Sequence, residues 1–188
     1  TYAASQAEGA LPATDEIDAV KRLIEQLHTH QDALRTQLSA HRPAVLAYAL
    51  QRMLCGDAAM DEWLRAMGLS MGEGPYHVLL VRASGSAPPP WSEGTASLAA
   101  GIPRPMTLYC LDGHEARTLT LVLACGGAPL APEAAAAMLG ARIREIGALP
   151  CAVAAGGQAA DSSALCRAYA EAAEALSHRF LRGEDAVL

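Results

Sequence analysis

The segment from Met106 to Cys125 constrains the fold more than any other part of the chain. Asp112-Gly113 is a strong turn signal, because both residue types tolerate the positive φ that a tight hairpin turn requires. Apolar residues alternate with others after the turn, which is the period of a β-strand. We therefore predict a β-hairpin at the centre of a sheet. Its apolar face is predicted to carry Met106, Leu108, Cys110, Leu119, Leu121 and Leu123.

The rest of the chain supplies elements that pack on this hairpin. In a short helix at residues 60–67 we expect Trp63, Leu64 and Met67 to face the core. The order of elements predicts an α/β sandwich on a mixed sheet with the antiparallel hairpin at its centre. The other predicted elements are strands at residues 76–83, 151–155 and 186–188 and helices at residues 132–147 and 163–180.

A narrow apolar stripe marks the N-terminal part of the chain. Residues 1–14 are rich in Ala, Ser, Gly and Pro and are predicted to form a linker. In residues 15–42 apolar positions recur at alternating steps of four and three, the spacing of a coiled coil. We predict a long helix that pairs with a second copy of the chain; the alternative is an amphipathic helix on its own domain. The predicted dimer seam consists of Val20, Ile24, Leu27, Gln31, Leu34 and Leu38.

Charge and composition exclude several classes of function. The formal net charge is −6, whereas a nucleic-acid backbone requires a basic face, so we expect this chain to make no direct contact with nucleic acid. No apolar run approaches the roughly 20 residues of a membrane span. The five cysteines include no C-x-x-C pair, which favours free thiols in a reducing compartment over a disulfide scaffold.

Few residues have the spacing that catalysis or cofactor binding requires. Gly126-Gly127 and Gly156-Gly157 each follow a strand and precede a helix, where backbone amides can hold a phosphate or simply form a turn. His114 and Glu115 lie at the hairpin turn, where ligand contact and a solvated turn both remain open. No cysteine has a nearby histidine in a nucleophile pattern. We therefore assign no catalytic residue, cofactor or metal.

The order of elements resembles the GGDEF domain of diguanylate cyclases, which carries its catalytic motif on a hairpin tip. The first strand, VLLVRASGS, lacks the Asp that such cyclases place at its end to hold magnesium. The resemblance implies a nucleotidyl-cyclase-like or ferredoxin-like topology, and the missing carboxylates imply that the domain is not an enzyme. The hairpin tip here consists of Asp112, Gly113, His114, Glu115 and Ala116. Aligned with the motif Gly-Gly-Asp/Glu-Glu-Phe, it keeps the second and fourth residues, Gly113 and Glu115. His114 replaces the acidic metal ligand at the third position.

Two further stretches are similar to the degenerate GGDEF-like modules of AraC/XylS-family and PucR/CdaR-type bacterial transcription regulators. They are LSAHRPAVLAYALQRMLCG at residues 38–56 and AYAEAAEALSHRFLRGEDAV at residues 168–187. The resemblance implies that residues 43–188 form one degenerate GGDEF-like domain and residues 15–42 its signalling helix. It also implies a membrane-anchored parent protein whose cytoplasmic portion contains this chain, followed by a DNA-binding helix-turn-helix domain.

Residues and resemblance together predict a non-catalytic regulatory module of an AraC-type transcription regulator. The module is expected to form a homodimer through its N-terminal helix and to relay a signal from a sensor to the DNA-binding domain. The alternative is a receptor domain that binds a nucleotide or small metabolite in the vestigial cleft beside the hairpin tip.

Overall fold

The computed structural model describes residues 26, 41–84, 89, 91, 95–112, 117–146 and 151–178, with Asp112 described in its backbone alone. The chain divides into two compact units, Thr1–Pro43 and Ala44–Leu188. In the first unit, Gln26 is helical and exposed, and residues 41–43 are helical. The rest of the predicted linker and signalling helix lies outside the described residues. So do all members of the predicted seam: Val20, Ile24, Leu27, Gln31, Leu34 and Leu38.

The described part of the chain contains five α-helices and four strands. Helix α1 covers residues 41–54. Helix α4 (Pro132–Ile146) begins at a proline followed by Glu133, because proline is preorganised for the first helical position and an acidic residue suits the N-terminal end of the helix dipole. The other elements are α2 (Ala59–Ala66), β1 (Tyr76–Ala83), α3 (Ala96–Ala100), β2 (Thr107–Asp112), β3 (Thr118–Ala124), α4 (Pro132–Ile146), β4 (Cys151–Ala155) and α5 (Leu165–Ser177).

The four strands form one sheet in the order β2-β3-β1-β4. Strand β3 pairs with β1 from Tyr76↔Ala124 to Arg82↔Thr118. It pairs with β2 from Thr107↔Ala124 to Asp112↔Leu119. Strand β4 pairs with the other side of β1, from Leu79↔Ala155 to Ala83↔Cys151. All three pairings are antiparallel.

The prediction of a mixed sheet is therefore wrong for the described strands. Strands β1 and β2 run parallel to each other, but β3 lies between them, and β1 likewise separates the parallel strands β3 and β4. Because each helical connection skips one strand, parallel strands never become neighbours. The predicted place of the hairpin at the centre of the sheet is also wrong: β3 is an interior strand, but β2 forms an edge, since β3 is its one partner among the described strands. The predicted strand at residues 186–188 lies outside the described residues.

The sheet has an apolar face toward α3 and α4 and a second apolar face toward α1 and α5. Leu98 of α3 and Leu139 of α4 belong to the first cluster, and Leu50 of α1 and Leu165 of α5 belong to the second. The predicted sharing of one face by the two hairpin arms is confirmed, with Met106 and Cys110 partly buried at its margin. Its buried hairpin members are Leu108, Leu119, Leu121 and Leu123.

Helix α2 differs from its prediction in the residues that it buries. Leu64 is buried as expected, but Trp63 is 38% exposed and Met67 is 47% exposed. The Trp63 ring contacts Tyr48 of α1 edge-on, with ring centroids 6.4 Å apart and an interplanar angle of 71°. An eight-residue helix has about two turns, so it offers the core a single short row of side chains. Trp63 lies beside that row and packs on α1 at the surface.

Candidate functional site

The predicted site is the tip of the β2–β3 hairpin, of which the structure describes the two arms. Asp112 is the last residue of β2, and its backbone pairs with Leu119. Arg117 is the first described residue of the returning arm. The tip residues Gly113, His114, Glu115 and Ala116 lie outside the described residues.

Arg117 fastens the returning arm of the hairpin to the end of β1. Its Nε donates a hydrogen bond to the Ala83 carbonyl at 3.2 Å, and its Nη2 donates to the Ser84 carbonyl at 2.8 Å. The Ala83 amide in turn donates to the Arg117 carbonyl at 3.1 Å. Arg117 has a φ of +70°, a left-handed conformation that costs an L-residue about 1–2 kcal/mol. These contacts hold the strained residue in place and bring a guanidinium to the corner between β1 and the hairpin.

Sequence reasoning did not single out Arg117. Its partners lie 33 and 34 positions away in the chain, and no local pattern reveals such a contact. The available signal was its position directly after the hairpin tip, at the end of an arm that pairs with β1.

The Gly126-Gly127 pair forms a turn whose amides are already used. The Gly126 amide donates to the Glu73 carbonyl and the Gly127 amide to the Gly74 carbonyl, each at 2.9 Å. Both glycines have positive φ, +62° and +80°, which explains why glycine occupies these positions. A phosphate cradle requires amides that point to an open site, so the geometry favours the turn.

The Gly156-Gly157 pair is likewise a packing feature. The Gly156 amide donates to the Val78 carbonyl at 3.0 Å. The Gly157 amide donates to the Glu171 carboxylate of α5 at 2.8 Å. An anionic side chain of the protein thus takes the amide that a phosphate would use. The turn interpretation holds here too.

His77 is a buried titratable residue that the sequence reading treated as part of a strand. It is fully buried, and neither ring nitrogen makes a hydrogen bond of good geometry to another described residue. Desolvation lowers the pKa of His77 from its ordinary value of 6.5, and the Leu130 backbone and the Glu133 carboxylate oppose this shift only in part. Burial therefore favours the neutral imidazole over the charged one.

None of the five cysteines forms a disulfide, and they differ in exposure. Cys55 is exposed, whereas Cys125 and Cys151 are buried. Desolvation raises the pKa of Cys110 to about 11 and also raises the pKa of Cys125. At these two positions the thiolate, which is the nucleophilic and metal-binding form, is disfavoured.

The described residues hold no group of three or more His, Cys, Asp or Glu side chains placed to bind a metal ion. None of the described helices has the length and apolar character to cross a bilayer. Comparison of the chain with protein-family models, with curated proteins and with solved structures gave no match.

Proposed function

We propose that this chain is the non-catalytic regulatory and dimerisation module of an AraC-type transcription regulator. In this proposal residues 15–42 pair two copies of the chain. The domain at residues 43–188 then relays a signal from a sensor to a DNA-binding domain outside this chain. The membrane anchor and the cytoplasmic location of this module follow from the same proposal.

The observation that carries the proposal is the shared core of the helices at the two ends of the domain. Leu50 and Met53 of α1 belong to the same buried cluster as Leu165 and Ala168 of α5. Where α1 ends, a Cβ on Gly56 would lie 3.6 Å from the Cys166 Sγ of α5. Because protein interiors are close-packed, a shift of α1 is transmitted to α5 as a shift of a packed neighbour. An input helix and an output helix are thus coupled without any bound ligand.

The sheet topology supports the resemblance to a cyclase-like domain. The elements β1-α3-β2-β3-α4-β4 follow one another as β-α-β-β-α-β, with two interleaved crossovers, as in ferredoxin-like folds. In the cyclases that the chain resembles, an Asp at the end of the first strand holds magnesium. Here β1 ends in Arg82 and Ala83, and the Arg117 guanidinium donates to the Ala83 and Ser84 carbonyls at that end. Strand β1 itself thus carries no carboxylate of the kind that binds magnesium, which supports a non-catalytic role.

Dimerisation is tested by sedimentation of the full chain and of two seam variants, Leu27→Lys and Leu34→Lys. We expect the unaltered chain to sediment at twice its 19.5 kDa mass and each variant to sediment as a monomer, because a buried lysine on an apolar seam is not paired. Gln26→Lys is the matched control, since Gln26 is helical and exposed, and it should leave the dimer intact. A monomeric unaltered chain would contradict the dimerisation part of the proposal.

The relay is tested by amide hydrogen exchange of α5. We expect Leu27→Lys to change the exchange of the amides around Leu165 and Ala168, whereas Gln26→Lys leaves them unchanged. Exchange that is identical in the dimer and in the monomeric variant would refute the relay.

Incubation with GTP and magnesium should give no cyclic product, and product formation would overturn the non-catalytic assignment.

A further inference from the structure

A cavity of about 190 Å³ lies between α5 and the end of the sheet that carries the hairpin tip. An apolar cavity of about 150 Å³ is large enough to bind benzene, so this one can hold an organic molecule with one small ring. A nucleotide is several times larger than benzene and does not fit. Leu80 of β1 and Ala173 and Leu176 of α5 form the apolar wall of the cavity.

The space for the cavity arises because α5 packs on β1 and β4 through small side chains. Ala172 of α5 and Ala152 and Ala154 of β4 are fully buried in one cluster with Leu80 and Leu176. Alanines on both sides of this contact leave a gap beside the two leucines. An organic molecule placed there would bury its apolar part against Leu80 and Leu176.

Three of the four polar side chains in the described lining already have contacts within the protein. Arg82 and Tyr169 each interact with another group of the chain. The Ser177 Oγ donates a hydrogen bond to the Glu174 carbonyl at 2.6 Å. Arg82, the charged residue of the described lining, is thus engaged before any ligand enters.

Thr118 is the fourth polar residue, and its hydroxyl group lacks a partner. It pairs with Arg82 in the register of β3 with β1, so it faces the same side of the sheet as the cavity. The Thr118 Oγ1 is buried and makes no hydrogen bond to another described residue. Buried hydroxyl groups are nearly always hydrogen-bonded, and this one can both donate and accept. A bound molecule with a hydroxyl group of its own satisfies it.

We propose that the cavity binds a small neutral alcohol. The hydroxyl group of the alcohol makes a hydrogen bond with the Thr118 Oγ1, and its ring or short chain packs against Leu80, Ala173 and Leu176. Because Arg82 is already engaged, a charged molecule would leave water without gaining a counter-charge, and burial of an unpaired charge is costly. Neutral molecules are therefore favoured over ions of the same shape. This inference goes beyond the regulatory function proposed above and does not depend on it.

The cavity is tested by methyl-group NMR of the full chain during titration with cyclohexanol. We expect saturable shifts of the Leu80, Ala173 and Leu176 methyl signals. Cyclohexylammonium, which has the same shape with a positive charge, and cyclohexanecarboxylate, which is negative, should each bind at least about tenfold more weakly. Absence of saturable shifts with cyclohexanol would show that water alone fills the cavity and would overturn the proposal. Equal or tighter binding of either ion would overturn it as well.

A cavity-filling variant tests the position of the bound molecule. Ala173→Leu places a larger side chain in the cavity and should abolish the saturable shifts of Leu80 and Leu176. Ala170→Leu is the matched control, because Ala170 is an exposed residue of the same helix, and its affinity for cyclohexanol should equal that of the unaltered chain. Undiminished binding in a folded Ala173→Leu would place cyclohexanol elsewhere and refute the assignment.

A second pair of variants tests the hydrogen bond and decides the question even if Ala173→Leu does not fold. Thr118→Val keeps the side-chain shape without the hydroxyl group and should weaken cyclohexanol binding by a few-fold. Thr118→Ser keeps the hydroxyl group and should bind more tightly than Thr118→Val. Equal affinity in the valine variant and the unaltered chain would show that the Thr118 Oγ1 does not contact the alcohol, and the proposal would fail.

Discussion

The α-carbon of Gly156 lies against the backbone carbonyl of Ala168, and a Cβ built on Gly156 would collide with that oxygen. Gly156 follows β4 directly, and its amide donates to the Val78 carbonyl of β1 at 3.0 Å. The first turns of α5 therefore rest on the backbone of this loop, with no side chain between them. This close approach explains why position 156 is a glycine, although its backbone conformation is one that other residues also adopt.

Replacing Gly156 by alanine is predicted to destabilise the domain strongly. The Cβ would collide with backbone atoms that cannot move without displacing α5, so Gly156→Ala should lower the free energy of unfolding by about 3 kcal/mol, measured by urea denaturation. Gly157→Ala is the matched control, because its Cβ would meet only the flexible end of Glu171. That variant should lose less than about 1 kcal/mol. Equal losses in the two variants would show that the Ala168 contact is not limiting.

Arg117 is predicted to stabilise the junction of the hairpin with β1. Arg117→Ala removes two hydrogen bonds from a charged donor, so the free energy of unfolding should fall by about 2 kcal/mol. Arg117→Gly loses the same bonds but accepts positive φ, and should be about 1 kcal/mol more stable than the alanine variant. Arg104→Ala, at an exposed position, serves as the control. A glycine variant less stable than the alanine variant would contradict the strain assigned to this residue.

Local patterns sufficed to predict where several elements lie. The strands predicted at 76–83 and 151–155 coincide with β1 and β4, and the helix predicted at 132–147 agrees with α4 over all its described residues, Pro132–Ile146. These segments are apolar runs or periodic stretches bounded by Gly, Pro or Ser, so their limits depend on nearby residues. A similarly local contact precedes α5, where the Asp161 carboxylate accepts a hydrogen bond from the Ser163 amide at 2.9 Å, as capping residues of this type do.

The features that local patterns failed to predict depend on residues distant in the chain. Whether parallel strands become neighbours depends on which strand each crossover skips, and the order of elements does not state this. The Gly157 amide donates a hydrogen bond to the Glu171 carboxylate. Trp63 lies at the surface, where its ring contacts the ring of Tyr48. Periodicity indicates that a side chain is apolar or a turn is possible, but it does not identify the partner.

His77 is predicted to make the domain less stable as the pH falls below about 6.5. The pKa of His77 is lowered in the folded state, so in the window between that value and the ordinary 6.5 the unfolded chain binds a proton that the folded chain does not. The stability that neutral His77 contributes is fully present above pH 6.5, and it is lost as the pH falls toward the pKa of His77 in the folded state.

The measurement is urea denaturation of the full chain across the pH range from 8 to 5, about three units centred on the ordinary histidine pKa. His77→Leu should flatten the fall in stability below neutral pH, whatever its effect at pH 8. His41→Gln, at an exposed position, should leave the slope unchanged. An identical slope in the His77 variant would show that other groups cause the pH dependence.

The cysteines are predicted to react with thiol reagents in an order set by exposure and pKa. Cys55 is exposed and should give the fast phase with Ellman's reagent at pH 8. With its pKa raised to about 11 by desolvation, Cys110 is a thiolate in only about one molecule in a thousand at that pH. Cys125 and Cys151 are buried and should react only after unfolding in urea. Cys166 is only partly exposed and should react more slowly than Cys55, so Cys55→Ser should remove the fast phase. A fast phase that persists in this variant, with mass spectrometry placing the label on Cys110, would contradict the desolvated environment assigned to that thiol.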